Sequence, residues 1–226
     1  MIRYAKLHLA ANIACIQPEV AALRHSWNPH FNTKHYEGEW TVLSLRVPGG
    51  RTDEVMPDQV HGEDYLDTPL MAACPAIREL LQTFQCPLLA VRLLNLKSGA
   101  VIKEHRDHEL AYEKGEARLH LPVFTNNKVE FYVEDERVNM QEGECWYINA
   151  NLPHRVSNHG NTNRIHLVVD CKVNDWLAAQ FELAEKKYVP VEKQQHQLMQ
   201  VIRELRSQQT EVATALADQL EKTLIP

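Results

Sequence analysis

The 226-residue sequence has no excess of basic residues and no apolar run long enough to cross a membrane. Asp and Glu number 30 against 24 Lys and Arg, which gives a net charge of −6 with histidine neutral. A negatively charged chain has no general attraction for the phosphate backbone of a nucleic acid. A membrane-spanning helix needs about 18 apolar residues, and a signal peptide needs an unbroken apolar segment near the N-terminus. We therefore expect a soluble, cytoplasmic protein that binds neither nucleic acids nor membranes.

The cysteines of this chain are not spaced in the patterns that form disulfide frameworks or zinc sites. The cysteines are odd in number, and none belongs to a Cys-x-x-Cys pair. Each has apolar neighbours in the sequence: Cys15, Cys74, Cys86, Cys145 and Cys171. We interpret all of them as reduced thiols in the core of a cytosolic protein. Hydrophobic residues make up 44% and charged residues 24% of the chain, which is the balance of a folded protein rather than of a disordered one.

The ends of the chain mix helical and extended patterns. Residues 1–90 are irregular, but apolar residues recur every three to four positions over 68–85, which predicts a helix. We expect this part to pack on a core and to supply loops, at 25–40 and 55–67, that cover a binding site. Residues 174–226 carry an apolar stripe on a polar surface, which predicts one or two amphipathic helices. These helices would pack on the core or form a homodimer.

Residues 91–173 have a different character and predict a separate β core. Short runs rich in β-branched and aromatic residues alternate with turn residues at intervals of about ten. The runs are LLAVRLLNL, RLHLPVF, VEFYV, CWYIN and RIHLVVDCKV. Strands of this length and spacing predict a mainly β architecture, either a closed barrel or two packed sheets.

Three residues in this core are spaced as ligands of a metal ion. His105 and Asp107 are two positions apart, so on an extended backbone both side chains point to the same face. His154 follows a Leu-Pro turn at the start of a later strand and would supply a third ligand. Two histidines and one carboxylate with open positions form the ligand set of non-haem Fe(II) oxygenases, whereas a structural zinc site needs four ligands. Taken singly, Asp107 also reads as a solvated turn acid and His154 as a hydrogen-bonded core residue.

Arg164 opens the strand RIHLVVD and is the second signal of function. A buried arginine is costly unless it meets an anion, and its planar guanidinium suits a carboxylate such as the distal one of 2-oxoglutarate. His166 points to the same face of this strand, and Arg118 and His120 share one face of RLHLPVF. For His120 and His166, a structural role and a contact to the cosubstrate are equally open. Arg118 is a candidate either for binding a substrate carboxylate or for a surface ion pair.

Four segments of this core form a set with a known counterpart: HRD at 105–107, ARLHLPV at 117–123, GECWYINANLPH at 143–154 and RIHLVVD at 164–170. Together they resemble the aspartyl/asparaginyl β-hydroxylase family of Fe(II)- and 2-oxoglutarate-dependent dioxygenases. Within that family the sequence looks most like the bacterial members that act on free amino acids, the L-proline cis-4-hydroxylase type. The resemblance is loose in the N-terminal part of the chain, and the C-terminal tail gives no clear match.

The resemblance implies a fold and a metal centre. The fold is a double-stranded β-helix, the jelly-roll of cupin-like proteins, with flanking N-terminal helices and a C-terminal helical segment. The catalytic centre is Fe(II) held by His105, Asp107 and His154, with 2-oxoglutarate and O2 as cosubstrates. The expected reaction is hydroxylation of an unactivated C–H bond of a small amino acid, with conversion of 2-oxoglutarate to succinate and CO2.

The same resemblance implies the contacts to cosubstrate and substrate. Arg164 would anchor 2-oxoglutarate, with His120 and His166 beside it. Arg118 and His120 match the family's Arg-x-His strand, which faces the cosubstrate and the substrate carboxylate, so Arg118 is the predicted substrate-binding residue. The vertebrate peptidyl branch has glycine at the position of Asp107. The complete pair in this sequence therefore favours a free amino acid, such as proline, as the substrate.

Three other functions stay open at this point. The substrate could instead be an amino-acid residue in a peptide or on a carrier, which predicts an open rather than a covered pocket. A cupin-like metal protein that does not use 2-oxoglutarate would keep the three ligands but leave Arg164 without a partner. A non-catalytic jelly-roll module that assembles through its C-terminal helices would make the ligand set coincidental.

Overall fold

The computed structural model describes residues 1–23, 27–57, 62–107 and 110–222. Parts of the two predicted covering loops, at 25–40 and 55–67, lie outside these ranges, as does the end of the C-terminal apolar stripe. The helices are α1 (Ile13–Ala22), α2 (Pro75–Gln82), α3 (Asp175–Leu183), α4 (Val191–Ser207) and α5 (Glu211–Glu221), with 3-10 turns at Thr33–His35, Pro69–Ala73 and Tyr112–Lys114. The strands are β1 (Ile2–Leu7), β2 (Asn28–Pro29), β3 (Tyr36–Glu37), β4 (Trp40–Pro48), β5 (Tyr65–Asp67), β6 (Leu88–Leu96), β7 (Val101–His105), β8 (Glu116–Phe124), β9 (Val129–Val133), β10 (Glu136–Arg137), β11 (Cys145–Ile148), β12 (His154–Asn158), β13 (Arg164–Lys172) and β14 (Glu185–Tyr188).

The strands form two sheets. The larger sheet has the order β14-β1-β11-β8-β13-β6-β4-β2, with β5 paired to β4, and the smaller has the order β10-β9-β12-β7-β3. Strands that are distant in sequence are neighbours in space, since β8 pairs with β11 and β13, and β12 pairs with β7 and β9, in antiparallel ladders. Two antiparallel sheets with this crossed connectivity form a jelly roll. The predicted fold, a mainly β jelly-roll core with flanking helices, is confirmed.

The larger sheet has an apolar face and a polar face because successive strand residues point to opposite sides. Leu167 and Val169 of β13, with Leu119 and Leu121 of β8, belong to one hydrophobic core with residues of α1, α2 and α3. The residues between them are largely polar and face the smaller sheet. The strand period of two thus places charged groups in the space between the sheets, where the candidate site lies.

The helix predicted over 68–85 is two shorter elements. Pro69–Ala73 form a 3-10 turn, and α2 begins at Pro75. Proline has no backbone N–H to donate to a preceding turn, and its fixed φ suits the first position of a helix, so Pro75 starts a new helix. The periodicity itself is real within α2, which buries Ile77, Leu80 and Leu81.

The expectation that every cysteine lies in the core is wrong at one position. Cys15 is exposed, whereas Cys74, Cys86, Cys145 and Cys171 are buried, and none forms a disulfide bond. The inward side of α1 is formed by residues one helical turn apart, Ile16 and Val20, so Cys15 falls on the outer side of this helix.

The chain divides into two compact units. The first, Ile2–Lys187, contains both sheets except for Tyr188 at the end of β14; the second comprises Met1 and the chain from Tyr188 onward. In the second unit α4 packs against α5, and Arg206 forms an ion pair with Asp218 at 3.3 Å. The N-terminal part contributes β1 and β4 to the larger sheet, and the predicted three-part division stays a prediction. In the part of the chain that the structure describes, no helix combines the length and the apolar character needed to span a membrane.

Candidate functional site

The structure brings together the three residues predicted as metal ligands. His105 ends β7, His154 begins β12, and the two are paired across the antiparallel ladder. Asp107 follows β7, where its backbone N–H donates to the carbonyl oxygen of Ala150 at 2.8 Å. One potential ligand atom of each residue lies within 4.8 Å of those of the other two, and His105 Nε2 is 3.7 Å from Asp107 Oδ1. The three donors therefore converge on one point.

Backbone hydrogen bonds set the tautomers of both imidazoles. His105 Nδ1 is 2.8 Å from the carbonyl oxygen of Lys103, and His154 Nδ1 is 3.0 Å from that of Leu152. A carbonyl oxygen only accepts, so Nδ1 carries a proton in each ring, and Nε2 is the nitrogen with a lone pair in the neutral form. Burial lowers the pKa of His154 to about 4, so this ring is neutral at ordinary pH. Metal-binding histidines are oriented by hydrogen bonds of this kind.

Largely buried ion pairs hold Asp107 from its other side. Arg118 donates from Nη1 to Asp107 Oδ2, and from Nε and Nη2 to the two oxygens of Asp170 at 2.7 and 2.9 Å. Arg92 also donates to Asp170, at 3.1 Å. Burial acts to raise the pKa of Asp107, but the positive charge of Arg118, together with its other neighbours, holds this pKa below its usual value. Asp107 is therefore a carboxylate with one oxygen engaged by Arg118.

A cavity of about 310 Å³ between the two sheets joins these groups. Its wall includes the three predicted ligands, the arginines and His120 of the larger sheet, and aromatic side chains of the N-terminal part: His105, Asp107, His154, Arg92, Arg118, Arg164, His120, His30, Phe31 and Trp40. Pockets for small molecules usually have volumes of roughly 300 to 1,000 Å³ and a few polar groups in a largely apolar wall. The cavity therefore has the size of a small-molecule site.

Arg164 is in a different electrostatic situation from Arg118. Its side chain is 2% exposed, and no carboxylate among the described residues forms an ion pair with it. Its Nη2 lies 2.8 Å from His166 Nδ1, and within the same part of the chain its buried Nε has no hydrogen-bond partner. Burial lowers its pKa to about 9, so the guanidinium is still charged at neutral pH. A buried charge without a counter-ion is costly, which makes this position suited to an anionic ligand.

His166 and His120 both lie near Arg164. His166 Nδ1 accepts the hydrogen bond from Arg164, so the proton of this neutral ring is on Nε2. The rings of His120 and His166 stand edge to face, with their centroids 5.7 Å apart. Nδ1 of His120 is buried and has no hydrogen-bond partner among the described residues. Burial lowers the pKa of both rings well below the usual value. His166 therefore orients Arg164, while His120 places an unpaired nitrogen next to the cavity.

Sequence reasoning missed Arg92, Asp170 and His30. Arg92 interrupts the apolar run LLAVRLLNL, and a charge within a buried strand signals that it meets a partner. Asp170 shares a face of β13 with Arg164, but its contact with Arg118 depends on the pairing register of β13 and β8. His30 lies in the covering loop predicted at 25–40, but the sequence does not single it out, since its position in the wall depends on the path of that loop.

Comparison with known protein families matches residues 10–173 to aspartyl/asparaginyl beta-hydroxylase. The chain belongs to the aspartyl/asparaginyl β-hydroxylase family. All the site residues described above lie within the matched segment. A curated relative of this chain, the L-proline cis-4-hydroxylase of Rhizobium meliloti (strain 1021), is 33% identical over 135 residues, which cover 59% of this chain and 48% of that protein. The chain thus spans about half the length of this relative.

Solved structures with a similar course of the chain have low sequence identity to it. A prolyl-4-hydroxylase from Pseudomonas putida has a TM-score of 0.45 and 12% identity, over 77% of this chain and 94% of the other. The non-heme alpha ketoglutarate dependent epimerase SnoN from nogalamycin biosynthesis has a TM-score of 0.49 and 8% identity, over 76% of each chain.

Removing the charge of Asp170 tests the buried ion pairs. Asp170→Asn takes away the carboxylate that Arg118 and Arg92 share, so it should lower the free energy of unfolding by about 3–5 kcal/mol. Asp67→Asn is the control, because the Arg46–Asp67 pair is partly exposed (27% and 49%) and should be worth about 1 kcal/mol or less. Urea denaturation measures both variants. An equal loss of unfolding free energy in the two variants would contradict a larger contribution of the buried ion pairs to stability.

Proposed function

We propose that this protein is an Fe(II)- and 2-oxoglutarate-dependent dioxygenase that hydroxylates an unactivated C–H bond of a free amino acid such as proline. One observation carries the proposal: a single cavity combines the His105, Asp107 and His154 donors with the buried Arg164, which has no carboxylate partner among the described residues. Family membership and the 33% identity to an L-proline cis-4-hydroxylase support the substrate class.

The proposed iron ligands are His105, Asp107 and His154. The donor set fits Fe(II), since it offers two imidazole nitrogens and one carboxylate oxygen and contains no thiolate of the kind that structural zinc often uses. Arg118 engages the second oxygen of Asp107 and so favours binding through one oxygen. When bound, iron and 2-oxoglutarate together supply the activation of O2 for C–H hydroxylation, with release of succinate and CO2. The task of these side chains is to hold the metal at one wall of the cavity.

The proposed anchor for 2-oxoglutarate is Arg164. Its Nε has no partner among the described residues, and the bond from Nη2 to His166 limits rotation of the guanidinium. The ring of Phe131 lies 5.7 Å from the guanidinium carbon and covers it with an apolar surface. Because the arginine is almost fully buried, an ion pair with the distal carboxylate would be little screened by water. His120 and His166 stay the predicted neighbours of the cosubstrate.

The substrate would occupy the remaining part of the cavity. Arg118 stays the predicted contact for the substrate carboxylate, and it already holds Asp107 and Asp170. Arg92 lies on the same wall and shares Asp170 with it. A site with two guanidinium groups near the proposed metal ligands favours a small molecule that carries a carboxylate. A homodimer through α4 and α5 also stays a prediction.

A screen of free amino acids tests the proposal. The protein is incubated with Fe(II), 2-oxoglutarate and ascorbate, with L-proline as the first substrate, and succinate release is measured. We expect release that is stimulated by one or a few amino acids, with a product heavier by one oxygen in mass spectrometry. Stimulation only by peptides would favour the peptidyl alternative. Absence of any 2-oxoglutarate turnover would contradict the oxygenase function.

Arg164→Met tests the cosubstrate site. The variant keeps much of the side-chain volume and removes the charge, so the apparent KM for 2-oxoglutarate should rise roughly ten- to a hundredfold, as expected for a lost charge-assisted contact. The KM for the amino acid should change little. Lys172→Ala, on the same strand but 51% exposed, is the matched control. An unchanged dependence on 2-oxoglutarate would remove Arg164 from this role.

A further inference from the structure

A histidine in the N-terminal part of the cavity wall lies close to the charged residues of the site. His30 is 5% exposed, and its imidazole stacks on the indole of Trp40, with ring centroids 3.5 Å apart and planes at 11°. The ring of Phe31 also stacks on it, at 4.5 Å. These two stacks hold the plane of the imidazole ring.

The backbone of Asn32 determines which nitrogen of His30 carries the proton. The Asn32 N–H, which only donates, is 3.3 Å from His30 Nδ1. Nδ1 is therefore an acceptor, and in the neutral ring Nε2 carries the hydrogen. The ring is neutral because burial, with the positive charge of Arg92, lowers its pKa to about 3. Among the described residues, no group accepts a hydrogen bond from Nε2.

His30 lines the cavity together with two of the predicted metal ligands, His105 and Asp107. The charged groups that act on the imidazole most strongly are Arg92, Asp107, Arg118 and His105, whereas Arg164 is not among them. His30 lines the same cavity as Arg92 and Arg118, so a ligand bound there can reach its imidazole. An N–H donor beside the guanidinium groups of Arg92 and Arg118, which already pair with Asp170, suits a ligand group with several acceptor oxygens, such as a carboxylate.

We propose that His30 is a substrate-binding residue whose Nε2–H donates a hydrogen bond to the carboxylate of the amino acid, beside Arg92 and Arg118. This inference rests on the proposed function, since it takes a free amino acid as the occupant of the cavity. An N–H donor cannot bind an ammonium group, so the carboxylate end of the substrate faces this wall. A hydrogen bond to a carboxylate is stronger than one to a neutral amide oxygen, so His30 favours free amino acids over peptide-bound residues.

Two variants of His30 separate the hydrogen bond from the ring stack. His30→Phe keeps an aromatic ring to stack on Trp40 and removes the donor. His30→Gln removes the ring and keeps an N–H donor at a comparable reach. The probes are the free amino acid that gives the most succinate in the screen above and its carboxamide. Binding is measured by anaerobic calorimetry with Fe(II) and 2-oxoglutarate present, and KM values are measured in parallel.

His30→Phe should weaken binding of the free amino acid roughly tenfold or more, the loss expected for a hydrogen bond to a charged acceptor. The ratio of its affinities for the free acid and the carboxamide should fall, because the carboxamide loses less binding affinity than the free acid. His30→Gln should retain most of the affinity and of the preference. The KM for 2-oxoglutarate should stay the same in both variants, since Arg164 is unaffected.

Equal weakening in the two variants would assign the effect to packing and overturn the proposed hydrogen bond. Unchanged affinity in His30→Phe would overturn it directly. The two levels of the proposal fail in different ways. If the wild-type protein releases no succinate in the screen, both the oxygenase function and this inference are contradicted. If the wild-type protein turns over and His30→Phe binds the amino acid with unchanged affinity, this inference alone is contradicted.

Discussion

The ion pairs of Arg118 connect the two sheets at the candidate site, and the position of Asp107 depends on them. Arg118 lies on β8 of the larger sheet and binds Asp170 of the neighbouring β13 with two hydrogen bonds. Its remaining Nη1 reaches Asp107, which follows β7 of the smaller sheet. Such pairs are little screened where water is excluded, and losing one member leaves a buried charge without a counter-ion. The fold itself therefore orients the carboxylate that is proposed to bind the metal.

Arg164 lies on the same face of the larger sheet as Arg118, but its electrostatic surroundings are the opposite. Arg118 meets two carboxylates, whereas Arg164 has a neutral imidazole as its described hydrogen-bond partner and an aromatic ring over its guanidinium. Arg118 already pairs with carboxylates of the protein, whereas no carboxylate among the described residues pairs with Arg164. This contrast supports the proposed separation of the cavity into a metal and substrate part near Arg118 and a cosubstrate part near Arg164.

The strand period of two explains why so much of the site could be predicted from the sequence. It places Arg164 with His166, and the structure also brings together His105 at the end of β7, Asp107 just after it and His154. Their roles as ligands and contacts stay predictions. The pairing of Asp170 with Arg118 needs the register between two strands, which the sequence does not contain. The place of His30 needs the path of a loop, and the break before α2 depends on Pro75 overriding a continuous apolar pattern.

A crystal structure of the protein with Fe(II) and 2-oxoglutarate, prepared without oxygen, tests the central claim most directly. Anomalous scattering at the iron edge locates the metal independently of the surrounding density. We predict one iron bonded to Nε2 of His105, Nε2 of His154 and one oxygen of Asp107, with the distal carboxylate of 2-oxoglutarate on Arg164. An iron bound elsewhere, or a cosubstrate whose distal carboxylate lies away from Arg164, would contradict it.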